Sequence, residues 1–117
     1  MRKIIENRLI DFSVSIINLC ENMKNRFVSQ HLANQLIRSS TSAALNYGEA
    51  QGAESRKDFI HKTSIVLKEL RESQICLYII KRAQLIKTNV SIDNLIAECS
   101  ELVAIFQKTV VNSRKKQ

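Results

Sequence analysis

A chain of 117 residues has room for one modest hydrophobic core and not for two. With no proline, only two glycines (Gly48 and Gly52), four Phe, two Tyr and no Trp, it lacks most turn and strand-end chemistry, which excludes an all-β reading and points to helices cored by Leu, Ile, Val and Ala. Eighteen Lys and Arg against 11 Asp and Glu give a formal charge of +7, which attracts polyanions at long range.

The first helix is expected over residues 3–26. Ile5, Leu9, Phe12, Ile16, Leu19 and Met23 follow steps of four and three, which puts them on one helix face, and Ile10, Ile17 and Cys20 are expected to widen that stripe. Ser29, between Val28 and Leu32, reads as an N-cap with a hydrophobic staple, so a second helix is expected over 30–51.

That second helix contains SSTSAALNYGEAQG, residues 39–52, whose small polar residues suit either a linker or a helix that a neighbour approaches closely. The four-three register of Leu32 and Leu36 continues through Ser39, Ala43, Asn46 and Ala50, and nothing before Gly48 forces a stop, so the spacing predicts a tightly packed helix. Gly48 costs about 1 kcal/mol relative to Ala in a helix interior and is expected to have a packing reason. Gly52 suits a left-handed helix end.

Ser55 with Asp58 three residues on is a variant capping box that opens a third helix, expected over 55–86, with Phe59, Thr63, Val66, Leu70, Ser73, Leu77 and Ile80 on its core face. KTNVS turns the chain, Ser91 caps again, and Ile92, Leu95, Cys99, Leu102, Phe106 and Val110 mark a fourth helix over 91–113. Four helices with short connections in one domain, 1–117, pack most simply as an all-α, antiparallel up-down-up-down bundle.

The charge is uneven. Residues 54–87 hold eight Lys and Arg against four acids, a net of +4, and the chain closes on SRKKQ. Arg56, Lys57, Lys62, Lys68, Arg71, Lys81 and Arg82, with Arg114, Lys115 and Lys116, are therefore candidate phosphate contacts. A solvated basic helix face that binds nothing is the competing reading. On the second helix Gln35, Arg38, Ser42, Asn46 and Glu49 form a polar line of their own, and Arg38 can reach a carboxylate such as Glu72 on the third. This line is either an interhelical network that fixes register or part of a subunit contact.

Catalytic signals are thin. A single Asp58-x-x-His61 lacks the second motif and the paired glutamates of a dimetal bundle, the serines of SSTS have no base at suggestive spacing, and G-E-A-Q-G lacks the lysine of a phosphate loop. Cys20, Cys76 and Cys99 are far apart on or beside apolar stripes, which fits packed thiols better than a disulfide framework or a zinc site. No catalytic residue, metal or cofactor is expected. The charged N-terminal segment does not read as a signal peptide and no run of 18 apolar residues occurs, so a cytoplasmic chain without a membrane span is expected.

From Gln35 to Glu72 the chain resembles the four-helix bundle family known as 23S rRNA intervening-sequence proteins. The resemblance is carried by Gln35 and Arg38, by S-x-x-x-N-x-x-E at Ser42, Asn46 and Glu49, by Ser55 with Asp58 and Phe59, and by K-E-L-R-E from Lys68 to Glu72. Ala43 and Ala44 stand where Ile-Pro is frequent in the family, and Lys68 and Glu69 where one branch has Gly-Ser. The resemblance implies an antiparallel four-helix bundle that assembles as a homopentamer. It also implies kinship with the accessory proteins of diversity-generating retroelements, basic bundles that associate with a reverse transcriptase and nucleic acid. The reading that follows is a non-enzymatic, oligomeric basic bundle that binds RNA or DNA, or a nucleic-acid-handling partner, through phosphate contacts. The alternative is a protein interaction scaffold that binds no nucleic acid.

Overall fold

The structure, a computed structural model, describes residues 2–87 and 90–116. Four helices follow one another: α1 (Arg2–Glu21), α2 (Phe27–Gln51), α3 (Arg56–Arg82) and α4 (Asp93–Lys115). Each packs against two others, α1 on α2 and α4, and α3 on α2 and α4. The direction of each neighbour can be read from side-chain pairs. Between α2 and α3 these are Leu32 with Cys76, Arg38 with Glu69 and Glu49 with Lys62; between α3 and α4, Gln74 with Ser100 and Lys81 with Asp93. In each case one number rises as the other falls, and α1 runs against α2 likewise, with Ser13 on Ser40 and Ile5 sharing a cavity with Tyr47, so consecutive helices are antiparallel and the molecule is a rod of 47 × 21 × 20 Å.

The four-three stripes form the core. Leu9, Phe12, Ile16 and Leu19 of α1, Leu36 and Ala43 of α2, Val66, Leu70, Leu77 and Ile80 of α3, and Cys99, Leu102 and Phe106 of α4 make one buried cluster, with the Tyr47 and Phe106 rings edge to face at 5.3 Å. The stretch 39–52 is helical up to Gln51. Ser39, Ser40, Ala43 and Ala50 are buried, and Ser39 Oγ lies 2.7 Å from Ser73 Oγ of α3. Small side chains here let α2 and α3 come together at hydroxyl contact distance.

Several local expectations are corrected. Ile10 and Ile17 do not widen the core stripe of α1; they face outward. α1 ends at Glu21 rather than 26, because the backbone beyond it is taken by a long-range pairing: Lys24 N–H donates to Leu85 O at 2.7 Å, and Lys87 N–H to Asn22 O at 3.0 Å, around a Met23–Ile86 bridge. α2 starts at Phe27, so Ser29 is not a cap but sits buried in the first turn, where its N–H donates to Arg26 O. Ser91 is not a cap either; the position falls to Ile92, which offers no side-chain oxygen. Gly52 has φ −99°, outside the left-handed region, and a Cβ on Gly48 would meet nothing within 4 Å, so no packing reason holds that glycine. Ser55 does cap α3, accepting from Asp58 N–H at 3.0 Å. The turn expected over 87–91 falls partly on 88 and 89, outside the described residues.

α3 ends at Arg82 rather than 86 because Gln84 adopts the left-handed conformation, φ 56°. Gln84 N–H then donates to Lys81 O and Leu85 N–H to Ile80 O, the paired bonds of a Schellman end, with Leu85 and Ile80 both buried beside it. A left-handed residue with a Cβ is strained by about 1 kcal/mol. Gln84→Gly is therefore expected to raise stability by about 1 kcal/mol, read as a higher urea midpoint at unchanged slope; a lower midpoint would show that this end is held by something other than its backbone geometry.

Candidate functional site

The polar line of α2 faces α3 over most of its length. Arg38 donates to Glu69 Oε2 at 2.8 Å and also to Glu72, and both hydrogen bonds and charges raise its guanidinium pKa, the Glu72 bond most. Glu49 accepts from Lys62 Nζ at 2.6 Å, which raises the lysine in turn. Asn46 turns back on its own helix, donating to Ser42 O and Oγ. Gln35 lines a groove of about 580 Å³ between α2 and α3, together with Leu32, Lys68, Arg71, Ile75 and Ile79. The buried member of this ladder is Glu69, which the sequence places in the K-E-L-R-E run opposite the polar line, where Glu72 is the partner expected for Arg38. Its signal was present in the steps Val66, Glu69, Ser73, Cys76 and Ile80, which put a carboxylate on the face that meets α2.

The ten candidate cations do not form one surface. Arg56 and Lys57 open α3 while Arg114, Lys115 and Lys116 close α4, and antiparallel packing brings those two termini to the same end of the rod. The start of α1 is there too, since Ile4, Ile5 and Arg8 share a cavity with Tyr47, Phe59, Phe106 and Asn112, so Arg2 and Lys3 join the cluster. This pole holds seven Lys and Arg (Arg2, Lys3, Arg56, Lys57, Arg114, Lys115, Lys116) against Glu6, Glu54 and Asp58, a net of +4. Sequence order hid it because its three contributors lie in separate parts of the chain.

The rest are distributed elsewhere. Lys62 is tied to Glu49, and Lys81 to Asp93 at 2.7 Å. Lys68 and Arg71 are exposed on the outer face of α3, and Arg82, with its guanidinium 5.9 Å from the Tyr78 ring centre, lies toward the opposite end. Lys57 and Arg82 are 25 positions apart in one helix, about 37 Å at 1.5 Å per residue. A single phosphate track along α3 does not describe this arrangement.

The remaining chemistry is structural. Arg8 joins α1 to α4 through Glu98, at 3.0 and 2.6 Å, and Glu101 at 3.2 Å; the Glu98 bond is the largest influence raising its pKa. Burial pushes the Cys99 thiol up to about 12 and Cys20 up to about 11, and raises Cys76 as well, so all three stay protonated at neutral pH. Among the described residues no three His, Cys, Asp or Glu side chains gather as a metal-binding group, and no helix is long and apolar enough to cross a membrane.

Fold and surface together define a class: a short antiparallel four-helix bundle with a basic pole and charge-braced helix seams. The 23S rRNA-intervening sequence protein family model matches residues 3–108, and the chain belongs to that family. It is similar to a crystal structure of a protein of unknown function from the S23 ribosomal protein family of Bacteroides thetaiotaomicron, with 29% identity and a TM-score of 0.80, covering 91% of this chain and 97% of that one. No curated protein matches the chain.

Proposed function

We propose that this chain is a non-enzymatic, self-associating basic bundle of the cytoplasm that holds RNA or DNA through phosphate contacts at its basic pole. The observation that carries the reading is the convergence of Arg2, Lys3, Arg56, Lys57, Arg114, Lys115 and Lys116 on one end of the rod. Among the described residues only Lys3 of these seven is in an ion pair, a loose one at 3.8 Å to Glu6. Unpaired cations at helix ends can release condensed counterions from a polyanion, whereas cations spent on protein carboxylates release none. The family name, which refers to an insertion in ribosomal RNA, agrees with a nucleic-acid context. Of the aromatics near the pole, Tyr47 and Phe106 are buried and Phe59 is half-buried, so they offer no open stacking platform and binding is expected to ignore base sequence.

Self-association would repeat the pole and convert weak phosphate contacts into avidity; the family resemblance makes a pentamer the expected assembly. The test is binding to a structured RNA and a DNA duplex from about 50 to 300 mM salt, for the native protein and for Arg114→Gln/Lys115→Gln/Lys116→Gln. Affinity is expected to fall steeply with salt, with the triple variant at least about tenfold weaker and its log–log salt slope shallower by about 2 to 3. No binding at about 50 mM salt would overturn the reading and leave the protein scaffold, which the exposed apolar residues of α3 favour.

A further inference from the structure

The end of the rod opposite the basic pole holds a cavity of about 460 Å³ at the N-terminus of α2, with Lys24, Asn25, Arg26, Phe27, Ser29 and Gln30 in its lining. Three of its features have no structural task in the bundle. The helix starts uncapped: Arg26 stands at the N-cap without a side-chain bond to the helix, and among the described residues the N–H groups of Phe27 and Val28 have no acceptor. Ser29, only 6% exposed, lines the cavity and carries a buried hydroxyl that has no hydrogen-bond partner among the described residues. Phe27 is 94% exposed, the most exposed large apolar side chain among the described residues.

Free N–H groups and the helix dipole make such an N-terminus positive, a place where an anion is stabilised. The surrounding charge has the same sign. Lys24 and Arg26 are exposed and outside any ion pair among the described residues. No Asp or Glu occurs between Glu21, which is not in the lining, and Glu49 far along α2. The loop that presents Lys24 is already fixed, since its N–H donates to Leu85 O at 2.7 Å beside the Met23–Ile86 bridge. A phosphate in the cavity can accept from the Phe27 and Val28 N–H groups and from the Ser29 hydroxyl, the three donors that otherwise lack an acceptor.

A phosphate alone leaves Phe27 unexplained, whereas an unpaired base has a flat face that stacks on an open aromatic ring. We infer that this end of the rod binds single-stranded nucleic acid, with one phosphate at the α2 N-terminus and the adjoining base on the Phe27 ring. A duplex keeps its bases stacked on one another and has no free face to offer. A strand fits better than a free nucleotide because the cations continue past the cavity: Lys24 also lines a second one, of about 350 Å³, with Lys81, Gln84 and Lys87. Lys81 is engaged there by Asp93, which leaves Lys24 and Lys87 for the next phosphate. The site is separate from the basic pole and shares with it only the class of ligand.

The chain has no Trp, so Phe27→Trp places a single indole at the site as a reporter. At about 50 mM salt its fluorescence is expected to be quenched by a thymidine oligomer of about ten nucleotides, and not by an abasic oligomer with the same phosphates or by a relaxed circular duplex. Phe27→Ala should weaken oligomer binding about tenfold and leave duplex binding unchanged. Lys24→Gln/Arg26→Gln should weaken the oligomer about tenfold and make its log–log salt slope shallower by about 1.4. Ser29→Ala should weaken it without lowering the urea midpoint, because that hydroxyl bonds nothing in the free protein. An unquenched indole, or equal quenching by the abasic oligomer, would overturn this site; duplex binding that persists alongside would leave the basic pole standing. Quenching by the oligomer with no duplex binding would do the reverse. Saturation by thymidine monophosphate at lower concentration than by the oligomer would assign the site to a free nucleotide and overturn the strand. Light scattering runs in parallel, and a Phe27→Ala particle smaller than the native one would make Phe27 a subunit contact and also count against a stacking site.

Discussion

Replacing Arg38 with methionine is expected to lower the unfolding free energy by about 3 kcal/mol, as much as a large core truncation, although Arg38 itself is half exposed. The cost falls on its partner. Glu69 is buried, and its carboxylate is held by Arg38 Nη1 at 2.8 Å, whereas Glu72, the other acceptor, is well exposed. Removing the guanidinium leaves Glu72 in water, where it loses little, and leaves Glu69 as a charge in the α2–α3 seam without its counter-ion. Methionine preserves most of the side-chain volume, so the measured loss reports charge rather than a cavity. The control is Arg38→Met/Glu69→Met, which removes both charges and is expected to recover most of the loss, because it leaves no unpaired carboxylate in the seam. Urea denaturation at matched protein concentration measures both variants. A single substitution costing under about 0.5 kcal/mol would show that Glu69 is satisfied some other way.

The same pair shows what could be read from sequence. The line Gln35, Arg38, Ser42, Asn46, Glu49 was visible because helical spacing is a local property, and so were the core stripes: the buried residues of α1 and α3 fall in the expected four-three order. Nonlocal facts were not visible. Whether Ile10 and Ile17 turn inward depends on where α2 and α4 sit around α1, and both point away from them. α1 stops at Glu21 because Leu85 O accepts from Lys24 N–H and Asn22 O from Lys87 N–H, pairings between distant parts of the chain that no cap residue signals. Basic residues looked concentrated along the third helix when counted by position. The fold instead gathers Arg56 and Lys57 with the two chain ends, and spends Lys62 and Lys81 on Glu49 and Asp93. Ser55 caps as expected while Ser29 and Ser91 do not, since a cap needs the helix to begin just after it, and α2 and α4 begin after Arg26 and Ile92 instead.

Ser73→Leu is expected to cost at least about 3 kcal/mol, against about 1 kcal/mol for Ser73→Ala, and the difference measures how closely α2 and α3 approach. Ser73 is fully buried, its Oγ donating to Glu69 O at 3.0 Å and lying 2.7 Å from Ser39 Oγ. Ser39 is buried too, and its own Oγ also bonds Leu36 O at 3.2 Å. Alanine removes one hydroxyl and leaves Ser39 with its backbone partner, so only a hydrogen bond is lost. Leucine places a branched side chain where two hydroxyls already touch, and the helices must separate or the side chain must leave its preferred rotamer. Separation would lengthen the Arg38–Glu69 bond one turn away, so the Leu variant should also show a smaller penalty for Arg38→Met, a coupling that a double-mutant cycle reads directly. If leucine proves no worse than alanine, the small-residue stretch is not what sets the distance between α2 and α3, and the run of Ser, Thr and Ala from 39 to 44 would need another explanation.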